Sequence, residues 1–127
     1  MLDIHYAKGG KAMFSLYTSI SRDCECFELI DDIQETLQFL EKKSYAVGTG
    51  SKVMIAYTSS DCIDVEFVVI SDTELKVSIN NYDCDDEVVG ESYENTTPLS
   101  EIKDNDREFV IMITARVLNL IDSRLKE

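Results

Sequence analysis

The spacing of apolar residues changes twice along the first half of this chain, and the changes limit the folds it can adopt. Apolar and polar residues alternate over residues 2–6 and again over 12–20, which is the pattern of two strands. Gly9-Gly10 lies between these runs and suits a tight hairpin turn. Over residues 27–43 the apolar period lengthens to three or four, which predicts an amphipathic helix. A hairpin followed by a helix is therefore expected.

Three runs rich in β-branched and aromatic residues come next, at residues 53–57, 63–70 and 75–79. The polar links between them are too short for crossover helices, so an antiparallel meander is predicted. In the middle run the apolar residues at odd positions should face the core. Asp64 and Glu66, at even positions, should then be exposed on the opposite side.

Two further elements complete the pattern. Residues 87–93 form a weaker strand candidate, and Thr96-Thr97-Pro98 should end any strand ladder there. An apolar stripe predicts a second long helix over residues 106–125. Asn105 and Glu108 have the spacing of a capping box at the start of this helix.

The resulting order is ββαββββα, which predicts an α+β fold with a mainly antiparallel sheet and two helices packed on one face. A chain of 127 residues is the usual size of one domain, so residues 1–127 are expected to form a single domain. At this length about two thirds of the unfolded surface can be buried on folding.

The sequence has the features of a cytoplasmic protein that does not enter a membrane. No apolar run approaches the ~20 residues that cross a bilayer, and residues 1–5 lack the pattern of a signal peptide. The core should be large enough for the fold to be stable without disulfide bonds. Cys24, Cys26, Cys62 and Cys84 are therefore expected to be reduced.

Motifs for catalysis and for cofactors fail in detail. His5 is the only histidine and lies in a predicted strand, with no cysteine or carboxylate cluster near it in sequence. Cys24-Glu25-Cys26 lacks the spacing of zinc knuckles, and residues 48–52 lack the spacing of a phosphate-binding loop. The acidic run from Asp83 has Val88 where a calcium loop needs glycine. We therefore expect no catalytic residues, no metal site and no cofactor.

Charge is the one extreme property. The chain has 25 acidic and 12 basic residues, and residues 61–108 alone hold 15 acids and three bases. Six acids lie within residues 83–94, with no lysine or arginine among them, and Tyr82 and Tyr93 bracket this run. Such dense like charge destabilises a compact state, so a compensating use is plausible, although a solvated acidic loop that only aids solubility is the alternative.

The functional interpretation is a surface that binds a basic protein, in which carboxylates supply charge and tyrosines supply contact area. The residues predicted to contact such a partner are Asp64, Glu66, Tyr82, Asp83, Asp85, Asp86, Glu87, Glu91, Tyr93 and Glu94.

In size, acidity, α+β character and lack of a catalytic constellation, the sequence resembles the small acidic immunity proteins that neutralise bacterial toxins, including toxins of contact-dependent growth inhibition. The resemblance implies a cognate toxin or nuclease domain as the partner, with the acidic block covering its nucleic-acid groove and no direct contact with nucleic acid. Two alternatives stay open. One is a phage-type DNA mimic that blocks a defence or CRISPR nuclease, and the other is a small metal-dependent enzyme built on carboxylates.

Overall fold

The computed structural model describes the chain over residues 2–6, 12–19, 26–57, 61–82 and 92–125. These residues form a mixed α+β structure with six strands and three helices, as predicted in class. In chain order the elements are β1 (Leu2–Tyr6), β2 (Ala12–Ser19), α1 (Cys26–Lys42), β3 (Gly50–Ala56), β4 (Cys62–Ser71), β5 (Glu74–Tyr82), β6 (Tyr93–Pro98), α2 (Leu99–Asp104) and α3 (Asp106–Leu125).

The six strands form one sheet whose spatial order is the chain order, β1-β2-β3-β4-β5-β6. Strands β2 and β3 are parallel, because α1 carries the chain back along the sheet between them. Every other neighbouring pair is antiparallel. The predicted mainly antiparallel sheet and the predicted meander over β3, β4 and β5 are thus confirmed. The Gly9-Gly10 turn lies outside the residues that the structure describes.

The core lies between one face of the sheet and the helices. On β4, Ile63, Val65, Phe67 and Val69 are fully buried, as their alternation with polar residues predicts. The buried side chains of all three helices join these strand residues in one hydrophobic cluster, so the helices share one face of the sheet. Phe67 meets Phe109 of α3 with ring centroids 6.2 Å apart in a tilted arrangement. Burying a side chain of this size stabilises the fold by about 1.5–3 kcal/mol.

Helix α1 ends in a turn in which two consecutive residues other than glycine have backbone angles in the left-handed region. The Tyr45 N–H donates to the Leu40 carbonyl at 2.9 Å, and the Ser44 N–H donates to the Glu41 carbonyl at 2.9 Å. This is the hydrogen-bond pattern of a Schellman motif, in which glycine usually occupies the position of Ser44. Here φ is 55° at Ser44 and 49° at Tyr45.

The end of the sheet differs from the prediction. The strand predicted over residues 87–93 begins only at Tyr93, and residues 83–91 lie outside the described part of the chain. Residues 96–98 were expected to end the ladder but are instead the last three of β6. Pro98 is tolerated there because it closes a strand at the edge of the sheet, where its missing N–H breaks no ladder.

Helix α2 is an addition to the predicted order, whereas α3 has the predicted bounds. The Leu99 N–H at the start of α2 donates to the Thr73 carbonyl in the β4–β5 turn at 2.8 Å. Leu99 and Ile102 of α2 are buried in the core. Asn105 separates the two helices, and its carbonyl accepts the Phe109 N–H of α3 at 3.1 Å.

Candidate functional site: the helix-free face of the sheet

The face of the sheet opposite the helices carries most of the polar and ionisable strand residues. None of the described helices packs on it, since their buried side chains all join the cluster on the other face. Strand register places these side chains in cross-strand rows, because alternate residues share a face. The term helix-free face refers here to the set Lys52, Met54, Cys62, Asp64, Glu66, Val68, Lys76, Ser78, Asn80, Tyr82 and Glu94.

Asp64 was predicted to be exposed, and this prediction is wrong. It is on the expected face, yet only 7% of its surface is accessible. The reason is its position in β4, which has a strand on each side: Met54 and Asn80 are its direct cross-strand neighbours. Glu66, two residues further along, is half-buried instead of exposed, between Lys52 and Ser78.

Burial raises the pKa of the Asp64 carboxyl above its ordinary value of 3.8, and the nearby negative charge of Glu66 raises it further. The Lys52 ammonium and hydrogen bonds from the Asn80 and Tyr82 side chains oppose this rise, but burial is the largest effect. One carboxylate oxygen, Oδ1, is buried and has no hydrogen-bond partner. A buried acceptor that lacks a donor lowers the stability of the folded state by about 1–3 kcal/mol.

Tyr82 is the last residue of β5 and lies diagonally across from Asp64. Burial raises the pKa of its phenol, and the charge of Asp64 together with their hydrogen bond raises the pKa further. The hydroxyl therefore stays protonated at neutral pH and can donate to the Asp64 carboxylate. Since Tyr82 is only partly buried, one side of the residue is also available to a partner.

The remaining predicted contact residues do not all share this face. Glu94 does, and its Oε1 lies 3.7 Å from the Lys76 ammonium in an exposed ion pair. Tyr93 points to the helix layer, because neighbouring strand residues alternate, and its ring lies 4.5 Å from the Arg116 guanidinium of α3. Asp83, Asp85, Asp86, Glu87 and Glu91 lie outside the described residues.

Sequence reasoning did not name the other members of this face, which are Lys52, Met54, Cys62, Val68, Lys76, Ser78 and Asn80. Lys52 and Met54 could have been found by extending the alternation of β3 across to β4. Asn80 was missed because β5 was expected to stop at residue 79, where its apolar alternation ends. The strand continues because Asn81 takes the next inward position and accepts a hydrogen bond from the buried Tyr57 hydroxyl.

The described carboxylates are not confined to the helix-free face. Asp31 and Glu35 are exposed on α1, and Asp104 and Glu108 are exposed on the other helices. Attraction of a distant cation would therefore come from the whole molecule, whose net charge is −13. Specific binding, by contrast, would depend on which face presents hydrogen-bonding and charged groups that match the partner.

The described side chains give no sign of a metal centre or a membrane-spanning helix. Within residues 28–57, 61–82 and 92–123, no three His, Cys, Asp or Glu side chains are grouped so that they could hold a metal ion. Among the helices that the structure describes, none has the length and apolar character needed to cross a membrane.

Comparison with known proteins finds no matching family model, no curated protein with significant similarity and no similar solved structure. A functional proposal for this chain thus depends on its own charge and geometry.

Proposed function

We propose that this protein is a non-catalytic, cytoplasmic immunity protein that binds a basic nuclease toxin and occludes its active site. The observation that carries the proposal is the grouping of Asp64, Glu66 and Glu94 with Tyr82 on the helix-free face, where these three acids outnumber the lysines of the face by one. Residues 83–91, which follow Tyr82 in the sequence and precede β6, contain five more acids.

Electrostatics would account for how quickly the two proteins meet. Nucleases that grip phosphates present basic grooves, and a partner with a net charge of −13 would be steered toward such a groove. Steering of this kind raises association rates by roughly 10- to 1000-fold at low salt. Carboxylates in the groove would then occupy the positions of substrate phosphates, and this occlusion needs no chemistry from the inhibitor.

Short-range contacts would account for specificity. Met54, Val68 and Tyr82 are half-buried and offer adaptable apolar and aromatic contact area on the face. The half-buried Glu66 and the exposed Glu94 present carboxylates that would accept charge-assisted hydrogen bonds from arginine or lysine side chains of the toxin.

The test is a comparison of two variants with equal charge change. The protein is used as bait to capture its partner from the native host, and association is then measured by surface plasmon resonance over a range of salt concentrations. We expect Asp85→Lys/Asp86→Lys/Glu87→Lys to slow association and flatten its salt dependence. The matched control, Asp31→Lys/Glu35→Lys/Asp104→Lys, places the same charges on the exposed helix layer.

Equal slowing by both variants would mean that the association rate depends only on net charge and not on the acidic run of residues 83–94, which contradicts the proposal. The captured partner decides between the two binding hypotheses. A cognate toxin whose nuclease activity is blocked supports immunity, whereas a host defence nuclease that DNA displaces from the bait supports a DNA mimic.

A further inference from the structure

A cavity of about 400 Å³ opens in the helix layer, away from the helix-free face. It lies where the end of α1 meets α2 and the first residue of α3. Leu37 and Ile102, which are almost fully buried, lie at its apolar base, and Tyr45 contributes an aromatic ring. Its volume falls in the range of pockets that hold small ligands in other proteins. We refer to it as the Tyr45 cavity.

The ring of Tyr45 already faces a positive charge. The Lys103 ammonium of α2 lies 5.2 Å from the ring centroid, within the distance of a cation–π interaction. Lys103 is exposed, so its flexible side chain can leave this position for solvent. Within the protein itself the Tyr45 ring is thus already in contact with one alkylammonium group.

Burial is the main reason that the pKa of the Tyr45 phenol is raised, and the carboxylates of Glu41 on α1 and Asp106 on α3 both raise it further. Glu41 and Asp106 both line the cavity together with Lys103, and Arg107 is hydrogen-bonded to a residue of the lining, so acidic and basic side chains are equal in number around it. A cationic ligand that displaces the Lys103 ammonium preserves this balance, whereas an anion would add to the negative charge of the two carboxylates.

Contacts with the rest of the protein hold Tyr45 in place. The Tyr45 N–H donates to the Leu40 carbonyl at 2.9 Å, and the Tyr45 ring packs against the hydrophobic core. Gln34 of α1, another lining residue, accepts a hydrogen bond at Oε1 from Nη1 of Arg107 of α3 at 2.9 Å, which links the two helices. A site with fixed walls loses less entropy when a ligand binds.

We propose that the Tyr45 cavity is a binding site for an alkylammonium group, which lies between Glu41 and Asp106 with its alkyl chain on Leu37 and Ile102 and displaces the Lys103 ammonium from the Tyr45 ring. The ligand is either a free primary amine or a lysine side chain, since both present the same group. The site is independent of the proposed inhibition of a nuclease.

Titration of the intact protein with n-butylammonium chloride at constant ionic strength tests the proposal, with backbone amide chemical shifts as the readout. We expect the amides of Gln38, Ser44 and Tyr45 to shift with a common dissociation constant. Uncharged 1-butanol should bind more weakly. If 1-butanol shifts the same amides with equal affinity, the site recognises only the alkyl chain and the proposal is overturned.

Substitutions of the two acids and of Lys103 should change the affinity for n-butylammonium in opposite directions. Glu41→Gln and Asp106→Asn should each weaken n-butylammonium binding by about two- to fivefold, as expected for partly exposed ion pairs. Lys103→Met should tighten it by about twofold or more, because the competing cation is gone. Asp104→Asn and Lys42→Met make the same charge changes at exposed residues outside the cavity lining. Weaker binding by Lys103→Met, or equal effects from these controls, overturns the proposal.

A second ligand separates the two sources of the group. N-acetyl-lysine methylamide presents the same ammonium on the side chain of a peptide unit. If it binds like n-butylammonium, the cavity can take a lysine of another protein. If only n-butylammonium binds, the cavity is a site for free amines. Each result supports an alkylammonium site, and the absence of saturable binding by either ligand overturns it.

Discussion

The Tyr57 hydroxyl donates a 2.9 Å hydrogen bond to the side-chain oxygen of Asn81, and both side chains are buried. The bond joins the residue after β3 to the inner face of β5, across the intervening strand β4. It satisfies a polar atom of Asn81 where an apolar residue would continue the pattern of Leu75, Val77 and Ile79.

Removing the hydroxyl in Tyr57→Phe should therefore lower the free energy of unfolding by about 1–2 kcal/mol, because the buried Asn81 oxygen loses its donor. Urea unfolding followed by circular dichroism measures the change. Tyr93→Phe is the control, since the Tyr93 ring contacts Arg116 through its face and not through its hydroxyl. A loss in Tyr57→Phe no larger than in Tyr93→Phe would show that the bond contributes no stability.

The fold was predictable where apolar periodicity is strong and the element is long. Helix α3 has the predicted bounds because its apolar stripe runs over 20 residues, and β4 was recognised from four alternating apolar residues. Helix α2 was missed because six residues are too few to show a helical period. Strand β6 was misplaced because it is an edge strand in which only Thr97 is buried, so its sequence lacks alternating apolar residues.

The candidate site was predictable only in part. Alternation along β4 put Asp64 and Glu66 on the correct face, since that depends on local geometry alone. The burial of Asp64 depends on its neighbours Met54 and Asn80, and therefore on the register of three strands, which a pattern within one strand does not reveal.

The raised pKa of Asp64 has a consequence for stability. When the pKa of a carboxyl is higher in the folded state than in the unfolded chain, the folded state binds the proton more tightly. The ionised form then destabilises the fold above the folded-state pKa, and this cost disappears as the pH falls toward 3.8. Asp64 thus makes the protein less stable at neutral pH than at mildly acidic pH.

Asp64→Asn keeps the shape of the side chain and removes the charge. We expect its free energy of unfolding, relative to the natural protein, to be higher at pH 7 than at pH 4.5, by an amount on the order of 1 kcal/mol. Subtracting the two proteins at each pH cancels the other carboxyls. Asp31→Asn, at an exposed position, reports the general effect of removing one negative charge. If the stability of Asp64→Asn relative to the natural protein were instead greater at pH 4.5 than at pH 7, folding would lower the pKa of Asp64 and not raise it.

Ser44 at the end of α1 has a φ of 55°, where a residue with a β-carbon is disfavoured. Glycine has no such restriction, so Ser44→Gly should raise the free energy of unfolding by about 0.5–1 kcal/mol. Thermal unfolding measures the gain. Ser44→Ala removes the same hydroxyl but keeps the β-carbon, so it should bring no gain. Equal stability of the two variants would show that the turn is not strained at this residue.

Ser51 on β3 is fully buried beside Phe67, and its hydroxyl oxygen has no hydrogen-bond partner. Ser51→Ala removes a polar group that gives up its contact with water on folding and gains nothing in return, so we expect a rise of about 1 kcal/mol in the free energy of unfolding. Thr36 is equally buried, but its hydroxyl donates to the Ile33 carbonyl at 2.7 Å.

Thr36→Val therefore serves as the comparison, because it preserves the shape of the side chain and removes a hydroxyl that is bonded. It should lower the free energy of unfolding by about 0.5–1.5 kcal/mol. Chemical denaturation of both variants in parallel measures the two changes. Opposite signs for two buried hydroxyls in one core would show that pairing, and not burial alone, decides their contribution, whereas a loss at both positions would mean that Ser51 also has a bonding partner in solution.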